Sequence, residues 1–437
     1  MRILIVSFFY PPTTSVGTVG AARVGNTSIQ LAAAGHEVRV LSALSGVSGE
    51  GAQLAGLRLH RTPWHQVNAL PKAVLAALSR RSRSASQATA PASVGGAEQP
   101  ELKGAARVVQ SLYTGLTNVP DETVGWVLPA LQEGRRLLST FRPDVIFASG
   151  APFSAFVVAQ SLARTAGCPW VAELRDLWVD NHYYRFAGWR KAIDRRIEAQ
   201  LLSHAAGIVT VSEPLAETLR ARYLPPVEVI IGGFDPASYP SEAAERSPEV
   251  LRLLYAGRLY GERRDPRPLL QALSLLGDDA SRVRLDFYLS AGQGYVRELA
   301  EQAGVGACVH VHEPRPHAEI LKLETAADVL VLLLWNHPEE RGVFTGKFFE
   351  YLGAKRPVLA LAPDFNVAAS TIAEHGLGLA SLDPQQIAHW LRARLADKAR
   401  GQHPALSDEA VADFSRSKQV ARLMTFLQDI VSSSAAS

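Results

Sequence analysis

The feature that most limits the fold is an alternation. Short β-branched and aliphatic runs recur along the chain, and most are followed by a stretch with helical periodicity. "RILIVSFF" opens as a buried strand, the loop "YPPTTSVGTVG" follows, a helix runs from about 21 to 34, and Gly35 can stop it. "HEVRVLSA" is then a second strand. Strand–helix–strand order of this kind builds a parallel sheet covered by helices.

The series continues through helical "GWVLPALQEGRRLLSTF", strand "PDVIFASG", helical "FSAFVVAQSLARTAG", strand "PWVAELRDLW", helical "KAIDRRIEAQLLSHA", strand "AGIVTVS", helical "EPLAETLRARY" and strand "VEVIIGGFD". A segment at about 81–105, rich in Ala, Ser and Gly, reads as a flexible surface loop within this first domain. Residues 236–249 carry Pro, Ser and Glu and read as a linker. A second series begins at "LRLLYAGRL" and continues through strands "RVRLDFYLSA", "GACVHVHEP", "AADVLVLLLW" and "RPVLALAP". The expected organisation is a domain at 1–235, a linker at 236–249, a domain at 250–415, and a last helix at 416–437 that packs back on the first domain. That helix places Val420, Leu423, Phe426 and Leu427 on one face. The fold class is therefore α/β, two Rossmann-like doubly wound domains facing a central cleft. Ligands in such sheets bind outside the carboxyl ends of the strands.

Composition removes several function classes. With 20% charged residues and a formal net charge of +3, the chain is no dedicated nucleic-acid binder. Two cysteines, Cys168 and Cys308, sit in different domains, which argues against a disulfide framework or a cysteine zinc site. No metal-ligand cluster is evident, and no cofactor is expected. "MRILIVSFFYPP" is too short an apolar run for a signal peptide, and "VLVLLLW" too short to span a bilayer. The chain reads as cytoplasmic, with any membrane contact peripheral. "WRKAIDRRIEAQLL" and "ARVVQSLYTGL" carry basic and apolar groups suited to such contact, or to a solvated helix face.

Candidate site residues lie where strands end. Gly17 and Gly20 lie in the loop after the first strand, where glycine lets a phosphate or sugar approach backbone N–H groups, or serves a plain turn. Arg23 follows on the first helical turn, facing either cleft or solvent. Glu173, Arg175 and Asp176 cluster after a strong strand, as a functional group or as a local ion pair. Trp178 could stack on a sugar or anchor the loop to the core. In "YAGRLYGERRDP", Arg258, Arg263 and Arg264 sit between strand and helix, and forked guanidinium bonds suit a diphosphate. In "TGKFFEYLGAKRPVLAL", Thr345 is an N-cap candidate, with Gly346 and Lys347 in the first turn. Glu350, one turn on, could accept bonds from two ribose hydroxyls, or could pair with Lys347 on a solvent face.

Together "GHEVRV", "FASGAPFS", "PWVAELRDLW", "VTVSEPLAETL", "GGFDP", "LLYAGRLYGERRDPRPLLQAL" and "RGVFTGKFFEYLGAKRPVLAL" resemble the retaining glycosyltransferases of the GT-B fold, family four. The resemblance spans nearly the whole chain apart from the 81–100 loop. It implies a nucleotide-diphosphate sugar donor and a hydroxyl acceptor, free or lipid-linked. It gives Arg258 with Arg263 or Arg264 to the donor diphosphate, and Glu350 to the ribose. Gly17 and Gly20 become the loop under donor and acceptor, and Asp176 or Arg175 a position near the transferred sugar. Arg23, Arg175 and Trp178 remain candidates for the acceptor side. Many members carry an earlier glutamate that contacts the donor sugar; here its position is Gly342, with Glu339 and Glu340 out of register. Backbone amides around 343–346 could take part of that role. Two other functions fit the same architecture: a nucleotide-sugar epimerase, and a non-catalytic sugar-binding protein. A requirement for an acceptor separates transfer from epimerisation.

Overall fold

The computed structural model describes residues 1–12, 18–44, 56–67, 113–181, 184, 186–240, 249–259, 263–403 and 405–435. The 81–105 segment and Gly17 lie outside the described residues, as do 241–248 of the expected linker. The chain forms two compact units. One comprises Met1–Thr210, Leu219–Glu228 and Met424–Ser437; the other comprises Val211–Thr218 and Val229–Leu423.

The first unit holds a seven-stranded sheet. Its strands are β1 (Arg2–Val6), β2 (Glu37–Ala43), β3 (Leu57–Thr62), β4 (Val145–Gly150), β5 (Trp170–Leu174), β6 (Gly207–Thr210) and β7 (Val227–Val229), in the order β3-β2-β1-β4-β5-β6-β7. The pairings from β3 to β6 are all parallel. Ile3, Leu4, Ile5 and Val6 are each 0% exposed, so consecutive side chains on both faces are buried. That is why β1 reads as an unbroken apolar run and not an alternating one. The first helix covers Thr18–Ala33, three residues earlier than the sequence pattern places it, and Gly35 (φ +87°) ends it as expected. Phe426 on the last helix, Arg416–Ala435, packs over Gly207, where an added Cβ would lie 2.7 Å from its ring.

The second unit holds six parallel strands: β8 (Leu251–Gly257), β9 (Val283–Leu289), β10 (Val309–His312), β11 (Val329–Leu333), β12 (Val358–Leu361) and β13 (Gly378–Ala380), in the order β10-β9-β8-β11-β12-β13. Leu253, Tyr255, Val331 and Leu333 face one core with helices Arg267–Leu275, Gln293–Gln302 and Pro384–Ala399. Leu254, Ala256, Leu330 and Leu332 face the other with helices His317–Ala326, Gly346–Gly353 and Val367–Glu374. The order β9-β8-β11 reverses strand progression at β8. The end of β8 is thus the switch point at which open α/β sheets bind ligands.

The expected strand "VEVIIGGFD" stops at Val229. The reason is packing. A Cβ at Gly232 would fall 2.4 Å from the Phe349 ring, and one at Gly233 2.8 Å from the Arg416 backbone, so both glycines serve close contacts in the second unit. Among the described residues no helix is long and apolar enough to cross a membrane.

Candidate functional site

In the first unit, the ends of β4 and β5 meet the first helix, which brings together residues up to 150 positions apart. Ser149 and Glu173 are register partners. Glu173 is buried; its Oε2 accepts from Ser149 Oγ at 2.5 Å and its Oε1 from Arg23 Nε at 2.8 Å. Burial pushes this carboxyl up, but the charges of Arg23 and Arg175 and the two hydrogen bonds outweigh it and hold it below the usual carboxylate range. Arg23 therefore faces Glu173.

Arg175 donates from Nε to the Gly150 carbonyl at 2.8 Å and from Nη2 to the Ala151 carbonyl at 2.7 Å. Its guanidinium lies against Gly20, where a Cβ would sit 1.7 Å from Nη1. Gly20 is thus not a loop residue opening backbone to a ligand. It lies inside the first helix and is glycine because Arg175 occupies the space of a side chain. Asp176 is exposed just beyond β5. Trp178 does not present its face to a ligand: it is 5% exposed and stacks on Phe153, ring centroids 4.4 Å apart, so it anchors the loop to the core.

In the second unit, two motifs ninety residues apart meet at the end of β8. Gly257 has φ +156°, and a Cβ there would lie 2.5 Å from Lys347 Cε and 3.2 Å from its Nζ. A Cβ here would displace the Lys347 stem, which crosses this strand end. Arg258 follows, exposed, and its carbonyl accepts from Tyr255 Oη at 3.0 Å and Arg264 Nη1 at 3.2 Å. Arg264 is thereby tied to the backbone just beyond β8. Arg263 stacks its guanidinium over Trp335, 4.6 Å from the ring centroid.

The helix Gly346–Gly353 starts as expected, with Thr345 in extended N-cap backbone (φ −91°, ψ 151°). Its hydroxyl, however, makes no capping bond, and Oγ1 is buried without a partner among the described residues. Gly346 is exposed, with open space where a Cβ would be. Lys347 and Glu350 form no ion pair with one another. Glu350 Oε1 instead accepts from His317 Nε2 at 3.0 Å, and the Glu350 carbonyl accepts from Tyr239 Oη at 2.8 Å. Gly342 is buried; its carbonyl accepts from Ser212 Oγ at 2.7 Å, and a Cβ would meet Leu215 at 3.2 Å. A longer side chain at this position would collide with 212–215. Of the amides around 343–346, that of Val343 is already bonded to the Glu340 carbonyl at 3.1 Å.

The pattern reading did not single out three groups here: His317, Tyr239 and Glu324. Glu324 is 0% exposed, and neither side-chain oxygen has a hydrogen-bond partner among the described residues. Burial first, then the charge of Glu350, push it up to about 8, against the pull of Lys347. The signal was present: Glu324 falls at the helical spacing of the core residues Ile320 and Leu321. Among the described residues, no group of three or more His, Cys, Asp or Glu is arranged to hold a metal ion.

Comparison with known proteins bears on the fold. Residues 20–233 match the model of the Glycosyl transferase 4-like domain. No curated relative matches the chain in sequence. Among solved structures, sucrose-phosphate synthase from Thermosynechococcus elongatus is similar at TM-score 0.60 and 14% identity, over 99% of this chain and 100% of that one. Anabaena HepE in complex with UDP is similar at 0.59 and 15%, over 98% and 100%. WaaG, a glycosyltransferase involved in lipopolysaccharide biosynthesis, is similar at 0.53 and 15%, over 98% and 99%. The fold is that of the GT-B glycosyltransferases, two Rossmann-like units with parallel sheets.

Proposed function

We propose that this chain is a retaining glycosyltransferase that moves a sugar from a nucleotide-diphosphate donor to a hydroxyl acceptor. The observation that carries the reading is the passage of Lys347 over Gly257, which joins the arginine turn to the start of helix Gly346–Gly353. Lys347 and Arg258, with the helix N-terminus, form a cationic site at the switch point of the second sheet. They bind the diphosphate and stabilise the charge that develops on it as it departs. Arg263 is held over Trp335 and Arg264 against the Arg258 carbonyl. These cations take the role a metal would otherwise fill. Glu350 accepts the ribose hydroxyls. The similarity to HepE, solved with UDP and with UDP-glucose, supports a nucleotide-sugar donor.

In the reaction the bond from the anomeric carbon to the donor phosphate oxygen breaks. The acceptor oxygen bonds to the same face of that carbon, and its proton passes to a donor phosphate oxygen. No enzyme nucleophile is needed, so the protein contributes positioning and charge stabilisation. Arg175 is committed to the Gly150 and Ala151 carbonyls, and Asp176, exposed just beyond β5, is the first unit's candidate for contact with the transferred sugar.

We assign the protein to polysaccharide, glycolipid or glycosylated-metabolite synthesis in the cytoplasm, at the inner face of the membrane. Exposed Trp189, Ile193 and Leu116 beside Lys191 and Arg195 support a peripheral contact for a lipid-linked acceptor. Flotation with anionic liposomes that leaves the protein in the soluble fraction would overturn this contact.

A calorimetric screen of nucleoside diphosphates and their sugars tests the donor site. Binding of at least one is expected, and no binding refutes the assignment. Turnover that needs a second, hydroxyl-bearing substrate separates transfer from epimerisation, and the product's anomeric configuration tests retention.

A further inference from the structure

Glu324 is a costly residue. A buried carboxylate without hydrogen-bond partners is among the least favourable groups a core can hold, and an aliphatic side chain would fill the same space at no such cost. It lies seven residues after His317, on the same helix face, and His317 is the residue that touches Glu350. The titratable groups that interact with it come from two elements. Glu350, Lys347 and Tyr351 stand on helix Gly346–Gly353, and Tyr239 follows the turn Pro236–Ser238; His317, on its own helix, pairs with Glu350. Arg356 is tied to the neighbouring Thr325 carbonyl at 3.0 Å. The two charges felt most directly by Glu324 are thus those of the proposed clasp, Glu350 and Lys347.

The consequence is a charge balance. With Glu324 neutral, Lys347 and Glu350 sum to zero beside the diphosphate. With Glu324 ionised, the trio carries a net negative charge, which repels an anionic ligand and diminishes the pull of Lys347 on phosphate. We propose that Glu324 is a positioning residue of the donor site, a neutral carboxylic acid beneath the clasp whose ionisation expels the nucleotide. This deepens the donor-site reading and rests on it.

The test is UDP binding by calorimetry at pH 7 and pH 9, for the wild type and Glu324→Gln. A group half ionised near pH 8 is about nine-tenths neutral at pH 7 and about one-tenth neutral at pH 9. Wild-type Kd should therefore rise roughly tenfold more than the variant's over this range. Any loss common to both proteins belongs to the ligand's own titration. Glu324→Leu, which has no proton to lose, should match Glu324→Gln and serves if the amide does not fold. Infrared difference spectra should show a protonated carboxyl band at pH 7 in the wild type that Glu324→Gln lacks. UDP binding with coincident pH profiles, or absence of that band, overturns the coupling alone. Absence of UDP binding in every protein overturns the donor-site reading and the coupling with it.

Discussion

Replacing Glu324 with glutamine should change how folding stability depends on pH, without any ligand present. The carboxyl is fully buried and is pushed from its ordinary value of 4.5 up to about 8. Between those values the folded chain holds a proton that the unfolded chain has released. The unfolded state thus binds fewer protons, so wild-type stability falls as pH rises through the window and levels off above about pH 8. The slope is about 1.4 kcal/mol per pH unit, on the order of 3 kcal/mol between pH 5 and pH 7. Glutamine has no proton to keep. At pH 5 the variant should be no more stable than the wild type, because its amide has no more partners than the acid had. By pH 7 it should have gained about 3 kcal/mol relative to the wild type. Urea unfolding of both proteins at half-unit steps from pH 5 to pH 8 measures the difference, and other titrating groups cancel in it. A difference that stays constant with pH would show that Glu324 is not held neutral, and the reasoning from burial would be wrong.

Arg258→Ala and Glu350→Ala should each weaken donor or transition-state binding by about 1.5–3 kcal/mol, the scale of charge-assisted hydrogen bonds; near-wild-type kcat/KM in both folded variants sinks the site. Gly257→Ala should displace the Lys347 side chain and strain a backbone at φ +156°, costing about 1–3 kcal/mol of stability together with UDP affinity; an unchanged Tm and Kd would refute the contact. Gly20→Ala should force the Arg175 guanidinium from the Gly150 and Ala151 carbonyls, with a loss of about 1–3 kcal/mol in chemical denaturation. Glu173 lies below the ordinary carboxylate range, so its contribution is present above the unfolded-state value and lost as pH falls through the folded one. The stability advantage of the wild type over Glu173→Gln should therefore shrink on acidification, and an advantage independent of pH would contradict the Arg23 and Arg175 pairing.

The parts of the fold legible in the sequence were those buried on both faces. "RILIVSFF" and "VLVLLLW" read as strands because each face meets a core. Two of the four edge strands, β3 and β13, escaped notice for the converse reason. β3 carries Arg58, His60 and Arg61 within six residues, and β13 is only Gly378–Ala380. In the site, charges in turns after strands were legible, because doubly wound topology fixes where such turns lie. Side chains that act across elements were not. Trp178 looks like a ligand platform until Phe153 is seen beneath it. Gly20 looks like a phosphate loop until Arg175 is seen in its place. His317 and Tyr239 carry no local signature, since their partner Glu350 is 33 and 111 residues away.

The spacing of Lys347 and Glu350 poses a physical question that the second unit answers. Residues three apart on a helix can pair, and an ion pair between them would have to open before either could hold a ligand. Two outside partners prevent this. Gly257 admits the lysine stem over the end of β8, and His317 takes the glutamate oxygen from the neighbouring helix. Each charge is therefore already turned toward a different neighbour, which lowers the reorganisation needed to bind. The neutral acid at Glu324 completes the arrangement. An ionised carboxylate there would draw Lys347 back from the strand end and repel Glu350 at once. The arrangement works because one of its three charges is kept off, and the burial that makes Glu324 expensive is also what keeps it off.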